Sequence, residues 1–308
     1  MKDLKVFIVN PHWLDFNTQN NIFTYILSKE YNVILTSNNP DVVITGDHTQ
    51  HGFENSKKIY WCPEPFTDSD PYQLNINNYN LLQYEIPHKG CFRLPLYVYF
   101  AYDSMINGEF DDFSYFSKEK VYDKNITNRK FCNFVCGGRY EGDEQFRDIF
   151  YKKLSKYKHI DCPGSRYNNM TKLSGESTTP LIRSKYKREF LKEYKFSIGF
   201  ENQSNRYNYT NDNSEGYQGY TTEKLIEPMI SNSLLLYWGN KDIYKEFNTK
   251  SFLNFFDYND LDQYIERIIE IDKNDDLYLE YIMQPFTHYN KYFDKDFLID
   301  LMKKIIEE

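Results

Sequence analysis

The chain has 308 residues with 45 Asp or Glu against 37 Lys or Arg, a net charge of −8 that argues against a nucleic-acid binder, which would carry a basic face. No apolar run reaches the ~18 residues that a membrane span requires, and the opening MKDLKVFIVN leads straight into a strand without a signal peptide, which predicts a cytoplasmic protein. The five cysteines, Cys62, Cys91, Cys132, Cys136 and Cys162, are odd in number and lack zinc-finger spacing, so they read as reduced thiols.

In chain order, the pattern predicts a strand over 6–9, a helix over 21–29 with Ile22, Tyr25 and Ile26 on one face, and strands over 33–36, 41–45 and 58–62. Strands alternating with helices or long crossovers imply a parallel, Rossmann-like sheet, whose ligands bind beyond the carboxyl ends of its strands. Two of the loops there carry acids, Glu64 in Trp61-Cys62-Pro63-Glu64-Pro65 and Glu85 in Leu81-Leu82-Gln83-Tyr84-Glu85. Residues 103–129 mix charges, Ser, Asn and aromatics without steady period and read as the passage between domains. The expected division is 1–120, 121–285 and a C-terminal helix in 286–308.

The second domain is expected to open on a strand over 131–135, followed by Cys136-Gly137-Gly138-Arg139 and a helix over 143–157. Phe146, Phe150, Leu154 and Tyr157 form that helix's core face, with Arg147 beside it and Arg139 as a weaker competitor for an anion. A short strand over 159–164 ends in a Gly164-Ser165 turn, and 185–194 reads as a helix. Phe196, Ile198 and Phe200 then alternate as a strand, a polar loop over 203–218 follows, and Thr221 or Thr222 caps a helix starting near Glu223. The free N–H groups and positive dipole end of that helix suit a phosphate, which would also explain a lysine, Lys224, in a first turn where the dipole disfavours it. Pro228 should kink or shorten the helix, and 234–237 is a buried strand. Beyond it come a strand over 252–256, a helix with Leu261, Ile265, Ile268 and Ile269 on one stripe, and a last helix over 296–307 with Phe297, Leu298, Leu301, Ile305 and Ile306 on its apolar side.

Phe200-Glu201-Asn202, then Gly219-Tyr220-Thr221-Thr222-Glu223-Lys224-Leu225-Ile226 and the apolar strand ending at Gly239, resemble the donor-binding signature of the α-1,3/4-fucosyltransferases, glycosyltransferase family ten. Arg93-Leu94-Pro95-Leu96-Tyr97 with Glu85 upstream, and 131–150 with Arg147, are similar to two further segments of that family. The spacer over 203–218 is longer than in the compact bacterial members.

The resemblance implies an α/β protein of GT-B type, two Rossmann-like domains facing a central cleft, with the C-terminal helix crossing back to the first domain. It implies inverting transfer of L-fucose from GDP-fucose to a GlcNAc-containing, N-acetyllactosamine-like glycan, with α-1,3 linkage. Glu85 would be the general base, with Glu64 in reserve. Lys224, and Arg147 from across the cleft, would neutralise the diphosphate in place of a metal. Glu201 and Glu223 would face the sugar or ribose, and Asn202 and Tyr220 would hydrogen-bond the donor. Three Asp-x-Asp triplets, at 68–70, 260–262 and 294–296, are expected by chance in so acidic a chain, so no essential metal is predicted. The alternatives are an inverting transferase of the same fold using another nucleotide-sugar, and a catalytically silent glycan-binding protein.

Overall fold

The computed structural model describes residues 1–9, 17–46, 52–61, 80–83, 91–122, 124–137, 144–173, 180–202 and 219–307. The chain divides into two compact units, Met1–Phe113 together with Asn290–Glu308, and Ser114–Tyr289.

Among its described residues the first unit has six strands, β1 (Lys2–Val9), β2 (Tyr31–Leu35), β3 (Val42–Thr45), β4 (Lys57–Trp61), β5 (Asn80–Gln83) and β6 (Cys91–Arg93). They pair in the order β2-β1-β3-β4-β5-β6, every pairing parallel. Leu4, Val6 and Ile8 alternate into the core along β1, while all of β3 is buried, as a central parallel strand covered on both faces requires. Helix α1 (Ile22–Leu27) begins one residue later than expected because Asn21 is its cap: the Asn21 side chain accepts from the Phe23 and Thr24 amides, and the Thr24 hydroxyl accepts from the Asn21 amide.

Helix α2 (Leu96–Ile106) lies where no helix was expected, and it takes up the start of the supposed interdomain passage. Leu96 to Tyr102 are all buried, so the segment has no polar face and shows no helical period in the sequence. The chain returns to this unit at its end. There the Asn290 side-chain amide donates to the Tyr97 hydroxyl at 2.9 Å, and the last helix runs from Lys295 to Glu307. That helix pairs Lys303 with Glu30 at 2.9 Å and accepts the Tyr31 hydroxyl on Glu307 at 3.0 Å. Its buried stripe is Leu298, Ile299, Met302 and Ile305, rotated from the expected face that included Phe297, Leu301 and Ile306.

Among its described residues the second unit carries five strands, β7 (Lys130–Asn133), β8 (Ile160–Asp161), β9 (Tyr194–Phe200), β10 (Leu234–Trp238) and β11 (Leu253–Asn254). Their order is β11-β10-β9-β7-β8, again all parallel. The helices are α3 (Glu144–Leu154), α4 (Pro180–Leu191), α5 (Glu223–Ile230), α6 (Leu261–Lys273) and α7 (Asp275–Ile282), and the C-terminal helix of the first unit is α8. Each unit is thus a Rossmann-like α/β domain built on a parallel sheet.

Several boundaries differ from expectation, three of them by a clear structural cause. Helix α4 starts at Pro180, five residues before the expected start, because proline's fixed φ and missing N–H suit a first helical position, and Tyr194 belongs to β9. The edge strand β11 stops at Asn254, and a single 3-10 turn, Phe255–Asp257, replaces its expected end. Helix α3 ends at Leu154, so Tyr157 lies in the following turn, where its hydroxyl donates to Asp272 at 2.8 Å.

The core between this sheet and α3 and α6 is aromatic. Phe146 stacks on Trp238 at 4.7 Å, Phe150 lies 4.6 Å from Phe200, and Leu261, Ile265 and Ile268 of α6 are buried with Ile269 packed against them.

Candidate functional site

In the second sheet, β7 leads to β8 on one side while β9, β10 and β11 build outward on the other. The strand order therefore reverses between β7 and β9. Open α/β sheets bind ligands beyond the carboxyl ends of the strands at such a reversal. Glu201 and Asn202 follow β9 directly, and Arg147 stands in the first turn of α3, the helix after β7, so the topology alone gathers three of the candidates at this point.

Arg147 is buried, 6% exposed, and its guanidinium clasps the chain leaving β9. Nη2 donates to the Phe200 carbonyl at 3.1 Å, to the Glu201 carbonyl, and to Asn202 Oδ1 at 3.2 Å, while Nη1 reaches Cys136 Sγ at 3.8 Å. Its Nε is buried with no hydrogen-bond partner among the described residues. Arg147 and Lys224 both belong to the unit Ser114–Tyr289.

Helix α5 delivers the second half of the cluster. Thr222 is the cap, its hydroxyl accepting from the Lys224 amide at 3.3 Å. The Thr222 amide donates to Glu201 Oε1 at 2.8 Å and its hydroxyl to Glu201 Oε2 at 2.6 Å. The turn that opens the helix is thus already engaged by a carboxylate of the protein, Glu201, a contact not expected beside the threonine cap and the phosphate. Lys224 Nζ lies 3.0 Å from Glu223 Oε1, 3.3 Å from Thr222 Oγ1 and 4.0 Å from Glu201 Oε2, and is turned in toward the cluster.

One lysine thus stands between two carboxylates whose titrations are driven apart. Burial pushes the Glu201 carboxyl up to about 7; Lys224 and the Thr222 hydrogen bonds oppose the rise, and the charge on Glu223 adds to it. Burial also pushes the Glu223 carboxyl up, yet the Lys224 and Lys187 charges and the hydrogen bonds from Lys224 and Thr222 hold it down at about 2. Lys187, on α4, was missed from sequence. It also pairs with the buried Glu227 of α5 at 2.5 Å, and no local pattern in 185–194 could have singled it out.

Two glycines let these parts approach. A Cβ on Gly199 would stand 2.4 Å from the Lys224 carbonyl oxygen, and one on Gly239 would stand 2.4 Å from Glu201 Cγ and 2.7 Å from the Tyr237 hydroxyl. Pro228 cannot donate to the Lys224 carbonyl in the helical pattern, and that freed carbonyl is the one resting against Gly199. Tyr220 is only 2% exposed and belongs to the core below the turn.

Glu85 and Glu64 both lie outside the described residues, as do Arg139, Cys62, the 203–218 loop and the 68–70 triplet. Asp260 caps α6 by accepting from the Gln263 amide at 2.9 Å, Asp262 pairs with Lys153 at 2.5 Å, and Asp294 accepts from the Asp296 amide at 2.9 Å. Among the described residues no three His, Cys, Asp or Glu side chains gather as a metal site, and no helix is long and apolar enough to cross a membrane.

Residues 128–295, more than half the chain, match the family model described as glycosyltransferase family 10 (fucosyltransferase), C-terminal part. A protein of Acanthamoeba polyphaga mimivirus, provisionally called a fucosyltransferase, is 32% identical over 177 residues, 57% of this chain and 26% of its own length. The α-(1,3)-fucosyltransferase FucT of Helicobacter pylori is 31% identical over 166 residues, 54% of this chain and 27% of its own length. The match therefore spans about a quarter of each of these relatives. A crystal structure of an α1,3-fucosyltransferase with GDP-fucose shares the fold, with a TM-score of 0.70 over 100% of this chain and 91% of that one at 22% identity. The aromatic strand ends, the Glu-Asn pair after β9 and the Thr-Glu-Lys start of α5 lie within the matched region, and the chain belongs to glycosyltransferase family 10, the fucosyltransferases.

Proposed function

We propose that the protein transfers L-fucose from GDP-fucose to a hydroxyl of a GlcNAc-containing glycan, with inversion and α-1,3 linkage. The observation that carries this reading is the cluster at the strand-order reversal, where Lys224 and Lys187 bring positive charge to the start of α5 and Arg147 brings it to the end of β9. Departure of GDP places charge on its β-phosphate, and fixed cations beside that oxygen stabilise the transition state more than the ground state. The buried Nε of Arg147 still has a proton to donate. In this reading Asn202, held by Arg147, hydrogen-bonds the donor, and the ionised Glu223 faces its sugar or ribose.

Inversion requires one displacement at the anomeric carbon, and the attacking hydroxyl must lose its proton to a carboxylate in reach. Glu85 is assigned that role by resemblance to the family, with Glu64 in reserve. The cations do the work of a metal in this scheme, so EDTA should leave turnover unchanged.

Incubation with GDP-fucose and an N-acetyllactosamine-type acceptor tests the reading through the mass and linkage of the product. Fucosylated product supports it. Transfer only from other nucleotide-sugars would replace the donor, and glycan binding without turnover would replace the activity.

A further inference from the structure

Glu201 is 0% exposed, and the geometry around its carboxylate is unusual for a buried anion. Both oxygens are held by one residue, Thr222, through its amide and its hydroxyl. The nearest cation, Lys224 Nζ, is 4.0 Å away and lies closer to Glu223 at 3.0 Å. From β10, the Tyr237 hydroxyl crowds the same space above Gly239, and burial keeps that phenol's titration far above the ordinary range, so it supplies no charge. From α3, Arg147 meets the Glu201 backbone carbonyl. Two carboxylates therefore share Lys224 at close quarters, with the Lys187 charge from α4 acting on Glu223, and an incoming diphosphate would add further negative charge to Lys224.

We propose that Glu201 is a positioning residue that takes up a proton as a nucleoside diphosphate binds beside Lys224, so that the lysine's charge passes from the protein's carboxylate to the phosphate. The inference rests on the donor-site reading given above. The proton comes from solvent and no covalent bond is broken. With the proton on Oε2, Glu201 donates to Thr222 Oγ1 in place of accepting from it, while Oε1 keeps the Thr222 amide. Thr222 Oγ1 then accepts from Glu201 and from the Lys224 amide, Lys224 Nζ having left it for the phosphate, and its own hydrogen is free to donate to a phosphate oxygen at the helix start. The carboxyl of Glu201 is poised for this exchange, since burial has brought its titration near neutrality while Glu223 stays ionised.

Calorimetric titration of the full chain with GDP, in buffers of different ionisation heat, counts the protons exchanged. At pH 7 the wild type should take up about half a proton per GDP, and GDP affinity should strengthen by up to about tenfold from pH 8 to pH 6. GDP's own terminal phosphate, which titrates near ~6, would release its proton on meeting cations, so its contribution has the opposite sign. Glu201→Gln reproduces the protonated hydrogen-bond pattern, and should bind GDP without the uptake and with a flatter pH profile. Binding by the wild type with no uptake, or uptake that persists in Glu201→Gln, overturns the proposal while leaving the donor site intact. No GDP binding by the wild type overturns the donor site and the proposal with it. The wild-type proton count stands by itself if the variant fails to fold.

Discussion

Lys224 and Arg147 carry the same charge at the same strand-order reversal but are held differently, and their substitutions should fail differently. Lys224 points its ammonium into the acidic cluster from the first turn of α5, so Lys224→Ala should weaken GDP binding by about tenfold or more, the value of one charge-assisted contact. Glu85→Ala, by contrast, should spare GDP binding and lose turnover, and unchanged turnover in that variant would reject its role as base. Arg147 is bound into the fold through the Phe200 and Glu201 carbonyls. Arg147→Lys replaces a planar fork by a single ammonium, and should cost about 1–3 kcal/mol of stability in denaturant titration as well as GDP affinity. The identities of Arg147, Glu201, Asn202, Glu223 and Lys224 were legible because a motif fixes residue types in order. What Glu201 does was not, because its partner Thr222 lies beyond the 203–218 loop and sequence spacing carries no information on that contact.

At the scale of elements, β9, α5 and β10 act as one piece because their backbones nearly touch. Gly199→Ala would drive a methyl into the Lys224 carbonyl and Leu235 Cδ1, both 2.4 Å away, and must push α5 off the sheet. The expected result is a loss of about 1–3 kcal/mol, read from the shift in urea midpoint, together with weaker GDP binding as the Thr-Glu-Lys turn moves. The strands were legible where burial alternates, as in β1, or where a short apolar run is bounded by polar residues, as in β10. Helix α2 was not, since a segment buried on nearly every side has no polar face to mark its period. For α8 the period was legible but its phase was not. Ile299 and Met302 face inward, while Phe297 and Leu301 are half-buried, and the choice between two overlapping apolar stripes is made by the packing partner.

For the whole molecule, two features set how stability responds to conditions and to chain length. Near the start of the second unit, Lys120 is buried over the Tyr115 ring at 3.5 Å and the Phe286 ring at 4.1 Å, donating to the Tyr115 carbonyl at 3.0 Å. Burial lowers its ammonium from the ordinary 10.5 to about 7. Between those values the unfolded chain binds a proton that the folded chain does not, so the Lys120 contribution to stability should rise with pH across that window. Unfolding titrations at pH 7 and pH 9 check this, and Lys120→Met should remove that part of the slope. The two-sheet organisation was visible in the alternation of strands with helices and crossovers, and the family resemblance led to the expectation that the C-terminal helix crosses back, whereas the break after Phe113, instead of at 120, depends on which surfaces meet. That return has a temporal consequence. During synthesis the stretch Ser114–Tyr289 is finished while the unit begun before it still lacks its closing piece, Asn290–Glu308, so of the two units the one begun earlier is completed later. Nascent chains halted just after Tyr289 has left the ribosome should therefore protect the later unit from protease while the earlier one is still cut.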